Sequence, residues 1–421
     1  MRNSKWLQYL GSPAFIDTGI LGAANFVVKP LGFVFITYVC IASIGIEGYG
    51  VMTNALAIAA IAVGVSTAGT SFYTVREIAR DKTAVQRFLS SILPVRLGLS
   101  IVAVAGSVTL TWLTMRVDTL VAVAAGAYAI GLGLIEYERS FFRAFENLRF
   151  ESVSIVSEKL VVILAGTAGL LVSPTALGVL AGMSAGAAVV ALANLKWIHS
   201  LYGVGRLPRQ IDRAFAKKTL KTAYPLGLAS IFVLLYFRVD SVMLKYMTSD
   251  VVVGQYGLAY RVLESLITIP AVAVALLLPR LSFIFGSKRP ESGFALIRTS
   301  LHWTITISAV ISCVVFLFSD PIANVLAGGP QPVSAKALSI LIWAFPFGAA
   351  AFVLSNALIS MDEQKLLATA LGVAAAANIL LNALLIPRYS LYGASFATVA
   401  TELTGTLLML LVVWKRNRQT V

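Results

Sequence analysis

The chain has 421 residues, of which 58% are hydrophobic and only 12% charged. That balance excludes an ordinary soluble domain and points to an integral membrane protein. The formal charge of +14 is then a topological quantity before it is a sign of any acidic partner, and nucleic acid is not expected to bind.

Continuous apolar segments fall at residues 13–42, 49–74, 91–115, 119–141, 154–172, 175–197, 221–245, 252–282, 296–318, 335–360, 367–386 and 391–414. A spanning helix needs about 20 apolar residues. The expected fold class is therefore an all-α membrane protein with twelve transmembrane helices in two six-helix bundles. The runs are continuous rather than alternating, which excludes a β-barrel. The expected organisation is an N-terminal bundle at 1–200, a basic linker at 201–220 and a C-terminal bundle at 221–421. The first apolar run is too long for a signal-peptide core and carries Asp17 and Lys29, so a cleaved leader is not expected.

Helix 1 carries Asp17, Asn25 and Lys29. At 100° per residue they lie within about 120° of one another, so they share a polar stripe. Lys29 precedes Pro30, which cannot donate a helical hydrogen bond and favours a kink. No acidic residue lies one turn from Lys29, so it is a candidate cation for an anionic cargo, set against a packing or snorkelling role.

Helix 4 carries Glu136, Arg139 and Arg143 on one face, with Arg96 on helix 3 near the same surface. This reads as an interfacial ion-pair cluster or an inner vestibule. In helix 6, Gly178, Gly182 and Gly186 form consecutive GxxxG steps, a signature of close helix packing.

The loop Arg206–Lys221 is strongly basic. Of the 33 Lys and Arg residues, 23 fall in segments that are cytoplasmic if the N-terminus is inside, and four on the other side. Both termini are expected in the cytoplasm.

Helix 7 carries Arg238 and Asp240, and helix 8 carries Arg261 and Glu264. Arg261 and Glu264 share a face at i,i+3, while Arg238 and Asp240 point about 160° apart. The expected arrangement has Asp240 tethering one arginine while the other stays available for cargo, with a closed salt-bridge staple as the alternative. On helix 12, Glu402 lies at mid-depth, with Asn378 and Asn382 at i,i+4 on helix 11. A carboxyl in an apolar bundle can exchange protons near neutrality, so Glu402 is a coupling candidate, and Asp17 is a second.

An internal repeat is visible in Glu47-Gly48-Tyr49-Gly50 and Gly254-Gln255-Tyr256-Gly257, offset by 207 residues. Repeated bundles suit an alternating-access transporter. The chain has no GxxxxGK[ST] and no HExxH, two histidines and two cysteines, Cys40 and Cys313. No ATP-driven mechanism, resident metal or disulfide framework is expected. The segment Ser319–Ser334, rich in Gly and Pro, reads as an outward loop too short to carry a catalytic platform, so the chain is not expected to be an enzyme.

Several phrases, in order, resemble a known family. They are Gly48-Tyr49-Gly50, Arg76-Glu77-Ile78-Ala79-Arg80, Phe237-Arg238-Val239-Asp240 with Met243-Leu244, and Val253-Gly254-Gln255-Tyr256 with Ala259-Tyr260-Arg261. Leu278-Pro279-Arg280-Leu281-Ser282, Asn382 with Ile386-Pro387, and Tyr392-Gly393-Ala394 complete the set. The chain resembles the Wzx-type polysaccharide flippases of the multidrug/oligosaccharidyl-lipid/polysaccharide (MOP) exporter superfamily, which includes the MATE transporters. It departs from them at Ser390, where a glycine is usual.

The resemblance implies a multi-pass bacterial inner-membrane protein that moves undecaprenyl-diphosphate-linked oligosaccharide from the cytoplasmic to the periplasmic leaflet. It implies a polar, cationic cavity and coupling to a proton or sodium gradient, with no other cofactor. Implied partners are the lipid-linked oligosaccharide, membrane lipids, a polysaccharide polymerase and other assembly proteins. A MATE-type multidrug or metabolite exporter, which would carry an aromatic and acidic cavity rather than scattered arginines, is the alternative.

Overall fold

The computed structural model describes residues 31–67, 69–115, 118–204, 211–274, 277–287 and 290–420. Among them the regular structure is entirely helical. In chain order the helices are α1 (Cys40–Thr67), α2 (Thr70–Arg80), α3 (Val85–Met115), α4 (Thr119–Ala144), α5 (Leu148–Val172), α6 (Ala176–Leu201) and α7 (Arg213–Met247). Then follow α8 (Asp250–Val274), α9 (Leu277–Gly286), α10 (Pro290–Leu317), α11 (Ser319–Ala327), α12 (Pro332–Leu341), α13 (Ala344–Ser360) and α14 (Gln364–Thr420). A π-helical turn, Phe35–Val39, leads into α1.

Eight helical stretches among the described residues are long and apolar enough to cross a membrane. Several boundaries differ from the apolar segmentation for local reasons. α1 runs through Gly45, whose φ of 72° breaks the helix without any polar interruption; glycine tolerates that left-handed backbone at no steric cost. α14 is a 57-residue run broken at Ser390 (φ 53°, ψ −134°), three residues after Pro387. The segment 335–360 is split where Ile342 and Trp343 end α12 and start α13.

The expected loop Ser319–Ser334 is corrected in its first half, which is helix α11. Asp320 in the first turn suits the positive end of the helix dipole. Gly328, at φ 69°, closes the other end, donating its N–H to Asn324 and Val325 carbonyls, the usual αL stop.

The chain forms two compact units, 1–36 with 55–234 and 37–54 with 235–421. In the first, an aromatic core gathers Phe88, Tyr137, Phe141 and Phe142 around Ile78, Leu89 and Ile92, all essentially without exposure. Phe215 packs edge-on to Phe88 at 5.1 Å between centroids, and Arg87 lies 4.2 Å over the Phe215 ring. Asp212 fastens this start of α7, accepting from the Phe215 N–H at 2.9 Å and the Arg87 guanidinium at 2.7 Å. The glycine stripe of α6 packs as expected: a side chain at Gly182 would collide with the Ala165 carbonyl of α5.

In the second unit, Leu281, Ile297, Val353, Leu354 and Met409 form the apolar core. The two repeated phrases pack against each other there. A Cβ on Gly50 would lie 2.8 Å from the Gly254 nitrogen, and one on Gly254 would lie 3.2 Å from the Gly50 nitrogen. Helices α1 and α8 thus meet backbone to backbone, a contact only glycines allow.

Candidate functional site

The second unit holds two polar clusters, both beginning on α7. Asp240 is 3% exposed and lies against α8 and α14. Its Oδ2 accepts from the Tyr256 hydroxyl at 2.9 Å and from Thr398 at 2.9 Å. Its Oδ1 accepts from Asn382 Nδ2 at 2.8 Å. Asn382 also donates to Asn378 Oδ1 at 3.0 Å, and Asn378 donates to Thr401 at 3.3 Å. The Asn382 carbonyl oxygen is buried and unpartnered.

Each residue is brought in by local helical geometry. Asn378 and Asn382 share a face at i,i+4, as do Ala394 and Thr398, whose hydroxyl lies 3.0 Å from the Ala394 carbonyl. Tyr256 follows Gly254, so the close approach of the repeated phrases fixes the helix that carries it. The ring is stacked on Tyr260 at 5.7 Å.

Every bond to Asp240 comes from a neutral donor. A buried carboxylate needs charge compensation as well as hydrogen bonds. The cluster therefore suits a proton or a small hard cation, for which Asp240, the Asn382 and Asn378 carbonyls and Thr398 provide oxygen donors. Among the described residues no group of three or more His, Cys, Asp or Glu side chains is placed to hold a metal.

The second cluster is Arg238, Arg261 and Glu264. Arg238 Nη2 donates to Glu264 Oε1 at 3.2 Å and Arg261 Nη1 donates to Glu264 Oε2 at 2.9 Å. One carboxylate spans two guanidiniums. The side chains are 30%, 19% and 35% exposed respectively. The expectation that Asp240 tethers an arginine is thus corrected. The 160° offset between Arg238 and Asp240 sends the carboxylate to the tyrosine and asparagine side, so Glu264 holds both arginines.

Glu402 is 8% exposed on α14 and packs at Gly348 of α13, where a Cβ would sit 3.3 Å from Oε2. Asn378 and Asn382 turn to Asp240 rather than to Glu402. Lys29, Asn25 and Asp17 lie outside the described residues. In the first unit, Arg139 is 8% exposed and binds Glu158 at 2.7 Å; Arg143 pairs with Glu136 and with Glu151, the latter at 3.4 Å. Glu136, Arg139 and Arg143 thus form ion pairs that take in two α5 carboxylates, while Arg96 lies over the Tyr137 ring and bonds Thr70, Ser71 and the Gly133 carbonyl. Tyr256 and Thr398 went unassigned because nothing in their own helices marks them; the repeated phrase was the one available pointer.

The family model described as polysaccharide biosynthesis protein matches residues 16–285, and the MatE model matches residues 225–384. No curated protein matches the chain. Among solved structures it is similar to lipid II flippase MurJ in an inward closed conformation, with a TM-score of 0.75 and 16% identity over 94% of this chain and 87% of that one. It is also similar to an inward-facing MATE multidrug transporter of the MOP superfamily, with a TM-score of 0.73 and 14% identity over 97% and 99%. A MOP superfamily transporter from Pyrococcus furiosus follows with a TM-score of 0.59 and 14% identity over 96% and 94%. With nearly two thirds of its length matched by that family model, the chain belongs to the polysaccharide biosynthesis protein family and has the fold of the MOP superfamily of membrane transporters.

Proposed function

We propose that this protein is a flippase that carries undecaprenyl-diphosphate-linked oligosaccharide from the cytoplasmic to the periplasmic leaflet of a bacterial inner membrane by alternating access. The observation that carries the reading is the family match together with two guanidiniums gathered at one carboxylate, Arg238–Glu264–Arg261. A diphosphate is bound best by guanidiniums, whose paired N–H groups match its oxygens. Arriving cargo competes with Glu264 for the two arginines, so binding opens the bridge and release closes it. Lys29 is a further cation proposed for the cargo path, and Asn25 a further polar group. A polysaccharide polymerase and other assembly proteins are the partners proposed at the periplasmic face.

Asp240 is the proposed coupling group. Its cluster joins α7, α8 and α14 through one carboxylate, so loading it with a proton or sodium ion alters how the three helices are held. Glu402 and Asp17 remain secondary coupling candidates. The alternative, a MATE-type multidrug or metabolite exporter, is less well supported, because cationic drugs would be repelled by the arginine pair. Deletion of the gene followed by leaflet-resolved analysis of lipid-linked glycan tests the proposal. Cargo trapped in the cytoplasmic leaflet is the expected result; an undisturbed distribution would rule it out.

A further inference from the structure

The first unit contains a buried carboxylate that the flippase reading does not use. Glu138 of α4 has no solvent exposure, and neither carboxylate oxygen has a hydrogen-bond partner. Among the described residues, Asn194 of α6, also without exposure, is the neutral polar side chain within its reach, and the Arg139 guanidinium acts on it electrostatically. Asn194 Nδ2 donates to Ser154 Oγ at 3.0 Å, and its Oδ1 is itself unpartnered. Three buried acceptor atoms on two neighbouring side chains therefore lack a hydrogen, and one proton on the carboxyl supplies a donor for the pair.

Among the described residues, the charged groups on the neighbouring elements have partners of their own. Arg139, the next residue, is committed to α5: Nε donates to Ser154 Oγ at 3.0 Å, and Nη2 to the Ser154 carbonyl at 2.9 Å and to Glu158 at 2.7 Å. Lys159 takes the other Glu158 oxygen at 2.7 Å. Arg143 engages Glu136 and Glu151. On α3, Arg96 lies 4.5 Å over the Tyr137 ring and donates to Thr70, Ser71 and the Gly133 carbonyl. On α2, Arg76 and Arg80 pair with Glu77. On α6, Lys196 and His199 follow Asn194 in sequence, and the His199 ring is bound to the Leu195 carbonyl at 2.8 Å.

We propose that Glu138 is a proton-binding site of the first unit, occupied in this conformation and read out by the orientation of the Asn194 amide. With the proton present, the carboxyl O–H donates to Asn194 Oδ1 while Nδ2 stays on Ser154. When the proton leaves to water, the carboxylate requires a donor and the amide turns over. Nδ2 then donates to Glu138, Oδ1 accepts the Ser154 hydroxyl hydrogen, and Ser154 Oγ keeps only the Arg139 bond. In each state one hydrogen bond joins Glu138 to Asn194, and the two states differ by one proton and one amide flip. The site lies wholly within the first unit and stands independently of the cargo and of Asp240.

The test is infrared spectroscopy of the full-length protein in lipid bilayers at neutral pH. The wild-type-minus-E138Q spectrum should contain a protonated-carboxyl stretch, and Asn194→Ala should shift that stretch to higher frequency in protein that keeps Glu138. A wild-type-minus-E138Q spectrum with no such stretch would overturn the proposal, as would a stretch unmoved by Asn194→Ala. Gln at 138 carries the donor that the occupied state requires, so E138Q should accumulate and melt as the wild type does. An E138Q protein that fails to fold would also contradict the proposal.

Discussion

The Asp240 carboxylate and the Tyr256 hydroxyl stand 2.9 Å apart, and the tyrosine belongs to the phrase that the chain repeats. The glycines of that phrase let α1 and α8 touch along their backbones. The same contact that packs the second unit therefore also positions a donor on its buried acid.

Removing that donor should weaken the unit without dissolving it. Tyr256→Phe takes one of three hydrogen bonds from a buried carboxylate, a loss of about 1–3 kcal/mol. Melting of the purified protein should fall by several degrees, and added proton or sodium ion should restore more stability to the wild type than to Asp240→Asn. Equal responses in the two proteins would remove Asp240 from ion binding.

The glycine contact makes an opposed pair of predictions. Gly254→Ala places a methyl against the Ile46 carbonyl, and overpacking of this kind costs about 1–3 kcal/mol. Gly106→Ala, on an exposed face of α3 with nothing within 4 Å, should be neutral or stabilising by up to about 1 kcal/mol. The melting temperature should fall for Gly254→Ala and stay level or rise for Gly106→Ala; equal shifts would contradict the packing account.

Ser390 holds φ 53° and ψ −134°, a backbone region that is nearly exclusive to glycine and costs other residues about 1–3 kcal/mol. Ser390→Gly should raise the melting temperature, less the entropy that glycine adds to the unfolded chain. A lower melting temperature would mean that the serine side chain contributes more than its backbone costs.

At Asp212 the Phe215 N–H and then the Arg87 guanidinium hold the carboxyl below its ordinary value. A depressed folded value contributes stability above the unfolded carboxylate value of about 3.9 and loses it as pH falls through the folded value. Asp212→Asn should therefore melt lower than wild type near neutrality and converge with it in acid. The acid dependence of the wild-type-minus-variant difference, followed by thermal melting, checks the sign.

The helical architecture was legible because apolar runs persist for the thickness of a bilayer. The breaks at Gly45, Ser390 and Ile342–Trp343 were not, because a backbone turn inside an apolar run leaves no hydropathy gap. Arg261 with Glu264 could be read from i,i+3 spacing. Whether Asp240 bonds an arginine or a tyrosine could not, since that choice depends on which faces of α7, α8 and α14 meet. Asn378 and Asn382 stood out as an i,i+4 pair, but spacing alone does not show which acid they face, and Asn382 bonds Asp240 on α7. Glu138, Glu151 and Glu158 each lie beside other charged residues in the sequence, and their different roles emerge only when α4, α5 and α6 pack.

The most direct measurement is transbilayer movement of an undecaprenyl-diphosphate-linked oligosaccharide in liposomes that contain the purified protein, followed under an imposed proton or sodium gradient. The flippase reading predicts cargo appearing in the opposite leaflet faster than in protein-free liposomes, with the rate reduced at least tenfold when both Arg238 and Arg261 are replaced by alanine, equivalent to about 1.4 kcal/mol of lost barrier stabilisation. Movement no faster than in protein-free liposomes, alongside gradient-driven export of a cationic drug by the same preparation, would contradict it.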